Sequence, residues 1–325
     1  PRMSSKRTDA PRLLRALLAC AALSSTAAAL ASAEPPPRSF AIENDTFVLD
    51  GAPIQLMSGE FHYSRCPAAL WRDRLRRLAA MGLNAVATYV PWNFHERARG
   101  EFEFGGDANL TAFAQLAADE GLLVLLRAGP YMCGEWEFGG LPAYLINETA
   151  ALRTYDDAYI AAVDAWWGVL LPVVAPLLYA RGGPIVMLQV ENEFGSFGDV
   201  SSSAADRAYM EHLVALAHAH LGEGGVQLYT PDGGDAGYMA RGTLNGSAVY
   251  SVGDHGPGPD AGNCAAMKEF NPPGRSPCMD SEYCERAPPP RRRVRPLSLH
   301  PPAFVPSPKP RSRNARAPRR HGVAH

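Results

Sequence analysis

The sequence is short of several things, and each shortage removes a class of function. Only six of its 325 residues are cysteine. No two stand in C-x-x-C spacing, so a thiolate zinc site is not expected. Internal repeats of the kind that build solenoids and propellers are missing. The apolar run near the start, Leu13 to Leu23, is short, is broken by Arg15 and dilutes into serine, threonine and alanine. That composition does not suit stable membrane insertion. A basic body is missing too. Residues 284–325 hold eleven of the 31 Lys and Arg and one of the 33 acidic residues. The remainder has 20 basic and 32 acidic side chains, a formal −12 beneath a whole-chain charge of −2. A body this acidic repels phosphates and argues against a nucleic-acid partner.

What is present begins with a secretory signature. Lys6, Arg7, Arg12 and Arg15 supply positive charge, apolar residues follow, and Ala31-Ser32-Ala33 is a small-residue cleavage motif. We expect residues 1–33 to be a signal peptide, with Met3 rather than Pro1 as its start, and residues 34–39 to be a proline-rich linker. Asn-X-Ser/Thr sequons at Asn44, Asn109, Asn147 and Asn245 agree with a glycoprotein of the secretory route. Its expected destinations are lysosome, vacuole or the extracellular space. Cys264 and Cys278 can pair in an oxidising lumen.

Residues 40–283 alternate short apolar runs with helical patterns. Strands are expected at 55–62, 85–91, 122–127, 184–190, 226–230, 248–252 and 277–283. Helices are expected at about 70–81, 110–120, 156–180 and 204–221. Such alternation implies a parallel sheet with helical crossovers. A doubly wound sheet fits it as well. What favours a (β/α)8 TIM barrel is the placement of polar and aromatic residues just after the strands: His62, Tyr89, Glu135, Glu193, Asp232 and Glu282. Active sites of such barrels lie at the C-terminal strand ends. An eighth strand is not evident, so the barrel is expected to be incomplete at its C-terminal end. Residues 284–325 are rich in proline and arginine and poor in large apolar residues, hence expected to be disordered. The abrupt change at Cys284 suggests a reading-frame or exon artefact rather than a functional basic arm.

Cleaving a glycosidic bond needs two carboxyl groups on different strands, facing each other across the sugar. Glu193 and Glu282 meet that need, each following an apolar strand. Along an ideal strand Glu191 and Glu193 share a face with Asn192 opposite, a parity that can break at the strand end.

Several segments then resemble glycoside hydrolase family 35, in family order over roughly residues 40–283. They are Ser58-Gly-Glu-Phe-His-Tyr-Ser-Arg65, Thr88-Tyr-Val-Pro-Trp-Asn-Phe-His-Glu96, Arg127-Ala-Gly-Pro-Tyr-Met-Cys-Gly-Glu-Trp-Glu-Phe-Gly-Gly-Leu-Pro142, Gln189-Val-Glu-Asn-Glu-Phe-Gly195 and Asp280-Ser-Glu-Tyr283. The resemblance implies a retaining exo-β-galactosidase acting on terminal β-D-galactose, with no cofactor or metal. It implies Glu193 as acid/base and Glu282 as nucleophile. Tyr89, Cys133, Gly134, Glu135 and Asn192 would bind the sugar: Asn192 at the 2-hydroxyl, and Glu135 as the main acceptor for galactose hydroxyls. Trp136 would be an apolar wall or core packing, and Gly139 and Gly140 would serve loop geometry. Two carboxyls about 5–5.5 Å apart give retention, and their repulsion keeps Glu193 protonated while Glu282 is ionised. The chain departs from the family in following Tyr283 with Cys284, and in lacking an eighth strand and the β-rich domains beyond it. The alternatives are an inactive truncated product and another retaining β-glycosidase of the same barrel type.

Overall fold

The computed structural model describes residues 38–148, 151–245, 247–254 and 261–283. The expected signal peptide and basic tail lie outside them. The chain enters through a three-stranded antiparallel meander, β1 (Phe40–Glu43), β2 (Thr46–Leu49) and β3 (Ala52–Pro53). Asn44 and Asp45 turn the first hairpin with φ of 49° and 57°, as a tight hairpin turn requires. This meander was not read from the sequence.

Six parallel strands follow: β4 (Ser58–Glu60), β5 (Ala85–Tyr89), β8 (Leu123–Arg127), β9 (Ile185–Gln189), β10 (Gln227–Gly233) and β11 (Tyr250–Asp254). A small hairpin, β6 (Glu96–Ala98) and β7 (Glu101–Phe102), branches off between β5 and β8. In the large sheet the strands lie side by side in chain order. A doubly wound sheet reverses its order at a switch point; this one does not. It is a partial (β/α) barrel.

Alternation along the strands divides two cores. On β8, Val124 and Leu126 face helices α1 (Ala68–Ala80), α2 (Leu110–Asp119), α3 (Asp157–Val174) and α4 (Ala204–Leu221). Leu125 faces the barrel interior with Ala87, Met187, Tyr229 and Val252. Ile42 and Phe47 of the meander pack into the same interior cluster. Two further helices, α5 (Ala236–Gly242) and α6 (Ala261–Phe270), follow β10 and β11. The segment Asp157–Leu177 is long and apolar enough to cross a membrane, but it sends Tyr159, Trp166, Trp167 and Leu170 into the helix-side core.

The expected seventh strand is corrected. Residues 277–283 form no ladder among the described residues. Pro277 has no N–H to donate, and side chains hold the segment instead. The Tyr250 hydroxyl donates to the Pro277 carbonyl (2.5 Å), and the Asp254 carboxylate accepts the Ser281 N–H (2.6 Å), both at a separation of 27 residues. The segment is therefore tied to β11 at both ends of that strand. It lines a cavity of about 500 Å³ that reaches from Phe47, Ile54 and Leu56 up to Glu60 and Glu282. The Cys264–Cys278 disulfide ties α6 to this segment.

Candidate active site

The C-terminal ends of the parallel strands bring Glu60, Tyr89, Arg127, Gln189 and Asp254 to one side of the sheet. Arg127 closes the interior row of β8, and its side chain is only 1% exposed. A buried guanidinium needs acceptors for its donors, and four strand ends or turns supply them. Its Nε donates to Gln189 Oε1 (2.6 Å), Nη1 to Glu60 Oε1 (2.6 Å), and Nη2 to Asn192 Oδ1 (3.0 Å) and to Glu282 Oε1. The cation also sits 3.8 Å above the Tyr89 ring.

Asn192 is fixed as an oriented amide. Its Oδ1 accepts from Arg127 and from Gln189 Nε2 (3.0 Å), and lies 3.0 Å from the Tyr89 hydroxyl. That hydroxyl lies 2.7 Å from Glu282 Oε1, so its single proton is shared between the two acceptors. With Oδ1 occupied, Nδ2 points outward, 3.5 Å from Glu193 Oε2.

The strand parity expected for Glu191 and Glu193 breaks. Both adopt left-handed backbone, with φ of 60° and 47°. Glu191 turns inward, where Arg153 Nη2 (2.7 Å) and the Tyr209 hydroxyl (2.8 Å) donate to it. Asn192 and Glu193 are left together at the mouth. The Gly195 N–H, two residues on, donates to Asp232 (2.7 Å). Asp232 therefore sits beneath the Glu193 turn, not in the mouth. Burial pushes its carboxyl well above the ordinary aspartate range.

Glu282 is held from the other side. Asp254 accepts the Ser281 and Glu282 N–H groups (2.6 and 3.2 Å) and the Ser281 hydroxyl (2.8 Å). Burial raises the Asp254 carboxyl to about 7 against those bonds. Burial works on Glu282 in the same direction, but the charge and hydrogen bond of Arg127, with the Tyr89 hydroxyl, outweigh it. The Glu282 pKa falls below the usual glutamate value. Glu193 goes the other way. Burial first, then the charge of Glu282, raise it against Arg127 and Arg153. His62, whose ring lies 5.1 Å from that of Tyr89, is lowered to about 4 by burial and by Arg65 and Arg127, so it is neutral.

The third group of expected residues reaches the cluster through a turn. Cys133, Gly134 and Glu135 have φ of 55°, 57° and 43°. A Cβ on Gly134 would stand 3.2 Å from the Tyr89 ring, so the backbone lies directly on that ring. Arg65 donates to the Gly134 carbonyl. The Cys133 thiol is free and exposed, and Glu135 is exposed. Trp136 is half-buried and donates its indole N–H to Asn93 Oδ1 (2.8 Å).

Tyr89, Asn192, Glu193 and Glu282 thus form one cluster, with the Cys133–Glu135 turn on its rim. Arg127, Glu60 and Asp254 were not singled out from the sequence. The available signal was a charge at the end of an apolar strand, where only paired ions are tolerated.

The model of the family "Glycosyl hydrolases family 35" matches residues 46–287. Beta-galactosidase 8 of Oryza sativa subsp. japonica is 46% identical over 249 residues, which are 76% of this chain and 36% of the rice protein. Beta-galactosidase 17 of Arabidopsis thaliana is 45% identical over 249 residues, 76% of this chain and 35% of that one. The beta-galactosidase of Canis lupus familiaris is 44% identical over 249 residues, again 76% and 36%. The chain spans about a third of the length of these curated relatives.

Proposed function

Since the chain belongs to glycosyl hydrolases family 35, we propose that it is a retaining β-galactosidase, removing terminal non-reducing β-D-galactose by double displacement. The observation that carries this reading is the opposed tuning of two carboxyl groups, Glu282 lowered and Glu193 raised, on different elements of one mouth. A nucleophile must be ionised and an acid protonated at the same pH. Arg127 and Tyr89 both engage Oε1 of Glu282, which leaves Oε2 to attack the anomeric carbon. Glu193 protonates the leaving oxygen and then takes a proton from water as the glycosyl-enzyme is hydrolysed. Asn192 Nδ2 serves the sugar 2-hydroxyl, and Tyr89 and the Cys133-Gly134-Glu135 turn bind the galactose. The secretory features of residues 1–33 and the sequons support a working place along the secretory route, in lysosome, vacuole or outside the cell.

The test uses nitrophenyl β-galactoside. Glu282→Gln is expected to abolish turnover. In Glu193→Ala an activated nitrophenyl leaving group should lose less than lactose, and azide should yield β-galactosyl azide. Near-normal activity in Glu282→Gln, or an α-configured azide product, would defeat the assignment. A panel of nitrophenyl glycosides separates galactose from glucose specificity.

A further inference from the structure

We propose that Arg127 is the positioning residue of the nucleophile, and that Glu60 sets how much of its guanidinium charge Glu282 receives. The proposal rests on the reading of Glu282 as nucleophile, and deepens it. Arg127 is one cation between two carboxylates. Nη1 is committed to Glu60 and Nη2 to Glu282 and Asn192, while Nε is anchored on Gln189. The guanidinium is planar, so these directions are fixed relative to one another. Holding Glu60 and Gln189 therefore aims Nη2 at Glu282. Side-chain exposures of 1% for Arg127, 36% for Glu60 and 26% for Glu282 place the shared cation where water screens it little.

One positive charge cannot neutralise both neighbours. Glu60 does two things to Glu282: it draws on the same cation, and it repels the carboxylate directly. Burial and the charge of Glu282 raise Glu60 while Arg127 opposes them, as expected of two carboxyls that compete for one cation. Other groups face Glu282 as well: Tyr89 from β5, His62 after β4, Glu193 after β9, Tyr229 from β10, Asp254 from β11 and Asp280 on its own segment. Asp254 titrates near 7 and acts alike in wild type and variants. The comparison between variants therefore isolates the Arg127–Glu60 couple.

Two substitutions should move Glu282 in opposite directions. Glu60→Gln keeps the shape and removes the competing charge, so the Glu282 carboxyl should titrate about one pH unit lower. Arg127→Lys keeps a charge but loses the fork, so it should titrate about one unit higher, with kcat down about tenfold or more and KM little changed. In the full chain, carbon-13 NMR titration of labelled glutamate reads Glu282 directly, its resonance identified by its loss in Glu282→Gln. The acid limb of kcat/KM for nitrophenyl β-galactoside should follow the same shifts. No shift, or shifts of the same sign, would overturn the proposal. If Arg127→Lys does not fold, the sign of the Glu60→Gln shift decides alone. Opposite NMR shifts in a chain that hydrolyses no β-galactoside would keep the electrostatic couple and defeat the enzymatic reading.

Discussion

The Asn192 amide oxygen takes donors from Tyr89, Arg127 and Gln189. Asn192→Ala would leave those groups without a common acceptor in a buried setting. The expected cost is about 1–3 kcal/mol of stability, measured by denaturant unfolding. It also removes the Nδ2 donor proposed for the 2-hydroxyl, so kcat/KM for a galactoside should fall about 100-fold. The loss should be smaller for the 2-deoxy-galactoside, which has no hydroxyl to engage. An equal loss on both substrates would mean that Asn192 acts only as a brace. At this scale the placement of Glu193 and Glu282 was legible, because carboxylates after apolar strands stand out in a sequence, whereas Asn192 came only with the family resemblance. Arg127 lies within a matching segment, at the end of an apolar strand, and nothing beside it in the sequence shows what it does. Its importance comes from Glu60, Gln189, Asn192 and Glu282, which are up to 155 residues away. No local pattern announces such partners.

The element scale turns on how residues 277–283 are secured. Strand and helix positions elsewhere followed from periodicity: α4 at Ala204–Leu221 has the bounds its pattern implied, and six of the seven expected strands differ only at their ends. The last segment has the composition of a strand, but its backbone is bonded by side chains of β11, Tyr250 and Asp254, instead of a ladder. Asp254 accepts three groups from Ser281 and Glu282. We therefore expect Asp254→Ala to lower kcat at least about tenfold, since Glu282, the proposed nucleophile, would lose its aligned attack if displaced by a fraction of an ångström. The thermal midpoint should change little, because the clasp lies outside the main cores. Asp254→Asn, which keeps one acceptor oxygen, should retain more activity than the alanine variant. If the two variants behave alike, the segment is held by something other than this carboxyl. The meander β1–β3 was legible in principle: Phe40–Glu43 and Thr46–Leu49 flank the turn-forming Asn44-Asp45 pair, a hairpin pattern.

For the whole molecule, the mouth and the turn beneath it concentrate acids whose pKa the fold raises. Glu60, Glu193, Asp232 and Asp254 are all raised, primarily by burial. An acid with a raised folded pKa binds more protons folded than unfolded once pH exceeds its ordinary value near 4, so stability falls as pH rises through that window. His62 and His95 act oppositely. Burial lowers both to about 4, so between 4 and about 6.5 the unfolded chain binds their protons and stability rises with pH. The two sets compete below about 6.5. Above it the histidines are neutral in both states, and the acids alone remain, with Asp254 titrating near 7. The lowered carboxyls of Asp45, Asp50 and Asp73 act only below their ordinary values, outside this range. The thermal midpoint should therefore fall by a few degrees from pH 6.5 to pH 8, as scanning calorimetry can measure. Asp232→Asn removes one of the retained protons and keeps an acceptor for the Gly195 N–H, so it should raise the midpoint at pH 8 and flatten the fall. A midpoint that climbs from pH 6.5 to 8, or an Asp232→Asn variant no flatter than wild type, would show that these carboxyls are not held neutral by the fold.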